Sequence, residues 1–182
     1  MVAVLLAGGP GSGKSTVAAA LQEQGRYAVD LDYGYARHED SSGSPVSFPP
    51  APDLAWLTAH HWQWIDGRLT ELLAHCRSRN AVLCGTAFNM FDYLDRFGLV
   101  ILLRCDDRTM DARLRDPKRA NIFGKVGDTA VWSRWWRTRV EEELGKRQAR
   151  IVDAHQPLPQ VVSTVLDLCA AAGHPISGDT TV

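Results

Sequence analysis

Short apolar runs alternate along the chain with longer segments whose apolar residues recur at helical spacing. Runs of this length that are rich in valine, leucine and isoleucine are typical of buried strands. The run at residues 99–103 has no polar interruption, as expected for a parallel strand covered by helices on both faces. The pattern predicts five strands, at residues 2–6, 27–32, 81–84, 99–103 and 150–152.

Helices are predicted between these strands, at residues 16–24, 54–79 (one or two helices, with Asp53 as N-cap), 89–97, 107–114, 129–147 and 158–172. Serine, glycine and proline in residues 33–52 exclude a helix or a central strand, so this segment is predicted to be a loop. The alternation of strand and helix predicts an α/β fold, a three-layer sandwich around a parallel sheet.

Length and composition limit the possible classes of protein. The 182 residues predict a single domain at 1–173, followed by a loose tail at 174–182. With 45% hydrophobic and 23% charged residues and a net charge of -1, the chain is unlike a general nucleic-acid-binding protein. It has no apolar run of about 18 residues and no signal-peptide pattern. We expect a cytoplasmic monomer or homodimer with no membrane or nucleic-acid partner.

The four cysteines show neither CxxC nor zinc-ligand spacing. Cys84 and Cys105 lie in or beside apolar strands. We therefore interpret all four as reduced packing residues rather than as redox or metal sites.

The strongest motif follows the first strand. It runs from Gly8 to Ser15 and has the phosphate-loop pattern of glycine, four residues, then Gly-Lys-Ser. Glycines allow backbone N–H groups to surround phosphate oxygens, and the start of a helix adds partial positive charge. The residues expected to contact the nucleotide phosphates are Gly8, Gly9, Pro10, Gly11, Ser12, Gly13, Lys14, Ser15 and Thr16.

Within this motif, Lys14 is expected to reach the β- and γ-phosphates, and the Ser15 hydroxyl to bind Mg²⁺. The alternative is a glycine-rich turn before an ordinary helix. Lys14 is the only lysine before Lys118, although arginines occur throughout the chain. That usage favours a functional lysine over a general surface cation.

Two carboxylates, Asp30 and Asp32, are predicted at the end of the second strand. Parallel strands end at one edge of the sheet, so these acids should lie beside the phosphate loop. Residues two apart on a strand face the same side. Asp30 could then orient Mg²⁺ and Asp32 could accept the proton of an attacking hydroxyl. The alternative is a strand end with solvated acids.

A basic segment follows the fourth predicted strand and its helix. Residues 113–125 contain five basic side chains and one acid. A mobile basic loop at residues 116–128 is typical of a lid that closes over a transferred phosphoryl group. Arg115 and Arg119 are the candidate lid cations, and a solvated basic turn is the alternative.

With these motifs, the chain resembles the P-loop small-molecule and nucleotide kinases, a group that includes shikimate, gluconate and nucleoside monophosphate kinases. Residues 8–15 match their phosphate loop, and Asp30-Leu31-Asp32 is similar to the Asp-x-Asp of the shikimate-kinase-like members. Residues 119–125 fall where those kinases have their lid. A weaker resemblance is to chloramphenicol- and tunicamycin-resistance phosphotransferases.

The resemblance implies a sheet order of 2-3-1-4-5 and the use of ATP with Mg²⁺, with GTP as an open alternative. It also implies nucleotide contacts from Arg113, Ala154 and Pro157. Shikimate itself is not implied, because Gly85-Thr86-Ala87 stands where shikimate kinase has a run of glycines.

The acceptor side is predicted from residues after the second and third strands: Asp32, His61, Trp62, Arg68, Gly85 and Thr86. The tryptophans could line a pocket for a planar acceptor or simply pack helices together. Residues 1–100 contain seven basic and ten acidic side chains, a balance that favours an uncharged acceptor. The sequence thus predicts a kinase that acts on a hydroxyl of a nucleoside-like, sugar-like or antibiotic small molecule.

Two alternatives remain open: transfer to a phosphate, as in nucleoside monophosphate kinases, and a nucleotide-dependent regulatory NTPase. Other P-loop classes fit less well. The chain has no Asn-Lys-x-Asp, which GTPases carry, and no apolar strand that ends in the Asp-Glu of AAA and helicase motors.

Overall fold

A computed structural model describes residues 2–178 of the chain. Its strands are β1 Ala3–Ala7, β2 Ala28–Asp30, β3 Ala36–Glu39, β4 His61–Trp64, β5 Ala81–Cys84, β6 Leu99–Arg104 and β7 Arg150–Asp153. Five of them form a parallel sheet in the order β2-β5-β1-β6-β7. Numbered within this sheet alone, the order is 2-3-1-4-5, so the predicted topology is confirmed.

The α-helices are α1 Lys14–Glu23, α2 Leu54–Ala59, α3 Asp66–His75, α4 Asp107–Arg115, α5 Thr129–Lys146 and α6 Leu158–Ala171. Asp53 caps α2, as predicted, since its side chain accepts a hydrogen bond from the Trp56 N–H. The helix predicted at residues 89–97 is instead two short 3₁₀ turns, Met90–Asp92 and Leu94–Arg96.

The central sheet is covered on both faces, which gives the predicted three layers. All five residues of β1 are buried, and they alternate between the two sides. Val4 and Leu6 pack with residues of α1, α4 and α6, whereas Leu5 packs with residues of α3 and α5. This alternation fixes which side chains of β1 face each helical layer, and the phosphate loop begins where β1 ends. All four cysteines are buried and unbridged, as predicted for packing residues.

A second, two-stranded sheet was not predicted. Strand β3 lies in the segment predicted as a loop, and β4 lies in the segment predicted as helix. The two strands pair antiparallel, with Ala36 opposite Trp64 and His38 opposite Trp62. We call this unit the β3–β4 hairpin. It stands outside the central sheet, so the prediction that residues 33–52 contain no central strand still holds.

Residues 116–128, the predicted lid, contain no helix or strand. The lid is nevertheless attached at its end, because the Asp128 N–H donates to the Pro52 carbonyl at 2.8 Å. The Asp128 carboxylate also accepts a hydrogen bond from the Leu54 N–H at 2.9 Å. These contacts join the lid to the segment that leads into α2.

The loose tail predicted at 174–182 is wrong for residues 174–178. Ile176 is 3% exposed and belongs to the core, and Gly178 pairs with Arg26. The Asn80 side-chain amide also donates to the Pro175 carbonyl at 2.9 Å. Residues 179–182 of the predicted tail lie outside the part of the chain that the structure describes.

Candidate active site

The phosphate loop connects the end of β1 to the start of α1. Gly11 and Gly13 adopt φ angles of 79° and 103°, a region that favours glycine, and Gly13 is the N-cap of α1. Gly8 and Gly9 lie behind the loop, where a Cβ would approach the Leu103 carbonyl and the Arg137 side chain to 2.5 and 2.8 Å. The glycines therefore serve both the turn and its close packing on the sheet and α5.

Lys14 is folded back over this loop. Its side chain is only 9% exposed, and Nζ donates to the carbonyls of Gly8 and Gly9 at 2.7 and 3.0 Å. Burial lowers the pKa of Lys14, while the charges of Asp32 and Asp30 oppose that shift. The lysine is thus held in the loop close to two carboxylates.

The two carboxylates lie together, but not as adjacent positions on one strand face. Strand β2 ends at Asp30, and the Asp32 N–H donates to the Asp30 carboxylate at 3.0 Å. The predicted strand end at residue 32 is therefore wrong, because the chain turns to make this bond. The other carboxylate oxygen of Asp30, Oδ2, is buried and has no hydrogen-bond partner among the described residues.

Asp32 faces a cleft of about 840 Å³ that runs past the phosphate loop. Its Oδ1 accepts a hydrogen bond from the Trp62 indole N–H at 3.2 Å. Burial raises the pKa of Asp32, and so does the charge of Asp30. Lys14, the Trp62 hydrogen bond and Arg119 act in the opposite direction. A carboxylate with a raised pKa accepts a proton more readily than a solvated one.

The phosphate-loop end of the cleft also contains residues from the last part of the chain. Arg113 on α4 donates to the Ser12 carbonyl at 3.1 Å and to the Ala154 carbonyl at 2.7 Å. It therefore joins the phosphate loop to the segment after β7. Of the residues predicted to contact the nucleotide, Arg113 and Ala154 line the cleft; Pro157 does not, although its neighbours Gln156 and Leu158 do.

The structure separates the two predicted lid arginines. Arg119 lines the cleft and donates to the carbonyls of Asn121 and Phe123 at 2.8 and 2.5 Å. The side chain of Arg115 is 70% exposed, pairs with Asp111 at 3.6 Å and is absent from the cleft. The predicted catalytic position of Arg115 is corrected, because residue 115 still belongs to α4 and faces its i−4 acid.

The far end of the cleft is predominantly aromatic. The β3–β4 hairpin and the segment that connects its two strands contribute one wall, and the segment after β5 together with α5 contributes another. The side chains that line this end are Asp32, Tyr33, His38, Phe48, Trp62, Thr86, Ala87, Phe88, Phe123, Trp132 and Trp136. Asp32 is the charged group of this set, and the cation Arg119 lies close enough to act on both Asp32 and Tyr33.

Two of the predicted acceptor residues, Trp62 and Thr86, line the cleft as Asp32 does. The Thr86 hydroxyl is 3.4 Å from the Gly8 carbonyl and 3.5 Å from the Trp136 indole nitrogen. Thr86 is therefore fixed between the phosphate loop and α5.

Three other predicted acceptor residues lie elsewhere. His61 stacks on Phe88 with ring centroids 3.5 Å apart and lies outside the cleft. Arg68 donates to the Gly34 carbonyl at 2.6 Å, and Gly85 packs against Leu31, which a Cβ would approach to 2.9 Å. These three residues support the walls of the site.

Several lining residues were not predicted, chiefly Tyr33, His38, Phe48 and Phe88. His38 and Phe48 lie in the segment predicted as a loop, so no pattern indicated which side chains would turn inward. The pairing of β3 with β4 places His38 opposite Trp62 at the cleft. A period-two pattern in residues 61–64 is the one local signal for that hairpin.

Within residues 2–178, no helix is both long and apolar enough to cross a membrane. The same residues hold no cluster of three or more histidine, cysteine or acidic side chains placed to bind a metal ion.

Solved structures show the same fold. Shikimate kinase from Acinetobacter baumannii, in complex with shikimate, has a TM-score of 0.56 and 19% identity, covering 94% of each chain. A gluconokinase from Sinorhizobium meliloti 1021 has a TM-score of 0.55 and 19% identity, again covering 94% of each chain. Deoxyadenosine kinase from M. mycoides with bound dATP has a TM-score of 0.50 and 15% identity, covering 92% of this chain and 99% of that one.

No curated protein matches the chain by sequence. A family model described as an AAA domain matches residues 4–126, a span that contains the phosphate loop, Asp30, Asp32 and most of the lid. The match covers more than half of the chain although the Asp-Glu of AAA motors is absent. The loop, the carboxylates beside it and this match together show that the chain belongs to the AAA domain family of P-loop proteins.

Proposed function

We propose that the protein is an ATP-dependent phosphotransferase that moves the γ-phosphoryl group of ATP to a hydroxyl of a small molecule. One observation carries this proposal: a single cleft contains the phosphate loop, Asp32, Arg119 and an aromatic end. A kinase needs a second compartment beside the phosphates, whereas a regulatory NTPase does not. The three similar structures are all named as kinases, but at this identity their likeness supports the fold alone.

The phosphate-loop end suits the nucleotide. The loop amides and Lys14 would hold the phosphates, with Lys14 exchanging its bonds to the Gly8 and Gly9 carbonyls for bonds to phosphate oxygens. Arg113, Ala154, Gln156 and Leu158 lie at the same end, where the base and ribose would be accommodated.

The residues present fit a Mg²⁺ ion that arrives with the nucleotide. Ser15 lines the cleft at the start of α1, where its hydroxyl can be a ligand. Asp30 has a buried oxygen without a partner, which suits a hydrogen bond to a metal-bound water. When bound, Mg²⁺ would neutralise charge on the β- and γ-phosphates.

The transfer step follows from the positions of three side chains. Asp32 takes the proton from the acceptor hydroxyl as the hydroxyl oxygen forms a bond to the γ-phosphorus. The bond from phosphorus to the bridging oxygen breaks, and its electron pair leaves with ADP. Lys14 and Arg119 stabilise the charge on the transferred group, and the lid excludes water.

The charges in the cleft favour a hydroxyl over a phosphate acceptor. Two cations act on Asp32, Lys14 and Arg119, and the proposed transfer already assigns both to the γ-phosphoryl group. Arg68 is bonded to a carbonyl away from the cleft, and Arg37 pairs with Glu39 at 2.8 Å. A phosphate acceptor would approach Asp32 without a dedicated cation, which is electrostatically unfavourable.

A transfer screen tests this proposal. The protein is incubated with γ-labelled ATP and Mg²⁺ against nucleosides, sugars, hydroxylated antibiotics and nucleoside monophosphates, and each product is identified by mass. We expect a phosphate ester of an alcohol. A new phosphoanhydride, or ATP hydrolysis without transfer to any compound, would contradict the proposal.

The Asp32→Asn variant extends the screen. An amide cannot take the hydroxyl proton, so we expect transfer to fall by about 10² or more, the usual range for a general base. The acceptor identified with the unchanged protein is used, and ATP binding is measured in parallel. Transfer at the unchanged rate would remove Asp32 from the mechanism.

A further inference from the structure

The aromatic end of the cleft contains a ring nitrogen that can accept a hydrogen bond and that the mechanism does not use. It belongs to His38, which lies on β3 opposite Trp62 of β4 and lines the cleft. The His38 ring lies 5.0 Å from the Trp62 ring and 5.2 Å from the Phe48 ring, measured between centroids. Trp62 also donates to Asp32, so His38 and the proposed base contact the same indole.

The hydrogen bonds of His38 define what it can offer a ligand. Nδ1 lies 3.2 Å from the His60 carbonyl oxygen, and because a carbonyl only accepts, Nδ1 carries the proton. Burial lowers the pKa of His38, the hydrogen bond to the His60 carbonyl opposes that shift, and the charges of His60 and His61 act in the same direction as burial. The ring is therefore neutral near pH 7, and Nε2 has a free lone pair.

Nε2 is accessible, and His38 lines the cleft. Nε2 makes no hydrogen bond to any described residue and is not among the buried, unpartnered atoms of residues 2–178. A hydrogen-bond acceptor in an otherwise apolar wall orients a ligand by a donor group of that ligand. The neighbouring side chains on this wall, Trp62 and Phe48, are aromatic and offer the ligand no hydroxyl or amine.

We propose that His38 Nε2 selects the acceptor, which is a flat-ring alcohol that carries a second N–H or O–H donor on its ring. The ring lies against the aromatic side chains of the hairpin and of α5, its reacting hydroxyl faces Asp32, and its second donor bonds to His38. This inference rests on the proposed function and adds the class of acceptor and the residue that recognises it.

Matched pairs of alcohols test the proposal. Each pair differs in the second donor only: thymidine and N3-methylthymidine, adenosine and N6,N6-dimethyladenosine, and 4-hydroxybenzyl alcohol and 4-methoxybenzyl alcohol. Phosphate transfer from labelled ATP gives kcat/KM for each compound. We expect at least one pair whose donor-bearing member is favoured about tenfold, the scale of one neutral hydrogen bond.

Two variants then assign that preference to Nε2. His38→Phe retains a ring for packing, and His38→Asn retains a donor for the His60 carbonyl, but neither places an acceptor at Nε2. Both should reduce the preference within the pair to near one while KM for ATP stays unchanged. His75→Asn is the matched control, since His75 is exposed on α3 and its Nδ1 also bonds a backbone carbonyl, that of Glu71, at 2.8 Å.

The possible failures are distinct. Transfer to sugars or open-chain alcohols but to no flat-ring pair would overturn this inference and leave the proposed function standing. A preference that persists in both His38 variants would also overturn it. If no alcohol in the wider screen receives phosphate, the proposed function fails and this inference fails with it.

Discussion

At the residue scale, the behaviour of Asp32 depends on a few neighbours that oppose one another. Burial and the charge of Asp30 raise the pKa of its carboxyl, while Lys14, the Trp62 hydrogen bond and Arg119 lower it. A general base works only when unprotonated, so kcat should fall as the pH drops through the pKa of Asp32. The acid limb of the pH profile should therefore lie above the ordinary aspartate value of 3.8.

The Trp62→Phe variant tests this environment. In the unchanged protein, the hydrogen bond from Trp62 to the ionised carboxylate lowers the pKa of Asp32. The variant removes this bond, so the pKa of Asp32 should rise further. The acid limb of kcat should consequently move to higher pH, as measured from the rate of phosphate transfer across a pH series. Trp135→Phe is the control, because Trp135 is 44% exposed and lies outside the cleft. An acid limb that stays in place would mean that Trp62 does not act on the base.

The sequence predicted which acids lie beside the phosphate loop but not how they are arranged. Strand periodicity placed Asp30 and Asp32 on one face, whereas the strand ends at Asp30 and a side-chain bond turns the chain. A hydrogen bond between a side chain and a nearby N–H competes with strand geometry and leaves no periodic signal. The phosphate loop was predictable because its glycines act locally.

At the element scale, the central sheet was predictable and the β3–β4 hairpin was not. The five central strands are apolar runs, so burial on both faces marks each of them in the sequence. Strand β3 reads Ala-Arg-His-Glu and pairs with a strand beyond a long proline-rich segment. No local pattern in β3 specifies that pairing. The β3–β4 hairpin was therefore not predicted, and His38 and Phe48 were missed as lining residues.

The lid supplies the prediction at this scale. Arg119→Ala should lower kcat by about 10²-fold, the cost of losing one donor to transition-state charge, with little change in the affinity for ATP. Arg115→Ala should have little effect on either quantity, since Arg115 faces Asp111 outside the cleft. Steady-state transfer rates and ATP titrations measure both.

Arg119 also bonds two carbonyls of its own lid, so its loss could loosen the loop rather than remove a catalytic charge. Arg119→Lys separates these effects, because lysine keeps the cation but not the paired bonds of a guanidinium. A catalytic role predicts that Lys restores much of kcat. A loss confined to ATP affinity in Arg119→Ala would contradict the role of Arg119 in the transfer step.

At the scale of the whole molecule, the two ends of the described chain are joined beside the sheet. The Val2 N–H bonds to the Asn80 side chain at 2.9 Å, and the Asn80 amide bonds to the Pro175 carbonyl. Ile176 completes the core on the α1 and α6 side. The composition of residues 174–178 gave no sign of this, because the single apolar residue Ile176, between one proline and a Ser-Gly pair, forms no pattern.

This packing gives a prediction for stability. Ile176 is 3% exposed, so Ile176→Ala removes buried methyl groups and leaves a cavity, which should lower the free energy of unfolding by about 2–4 kcal/mol. Ile151→Ala is the matched control: Ile151 is 51% exposed, and its loss should cost less than about 1 kcal/mol. Urea unfolding of both variants measures the difference, with phosphate transfer below the transition expected to stay near the unchanged rate. Equal effects at the two positions would show that residues 174–178 do not contribute to the core in solution.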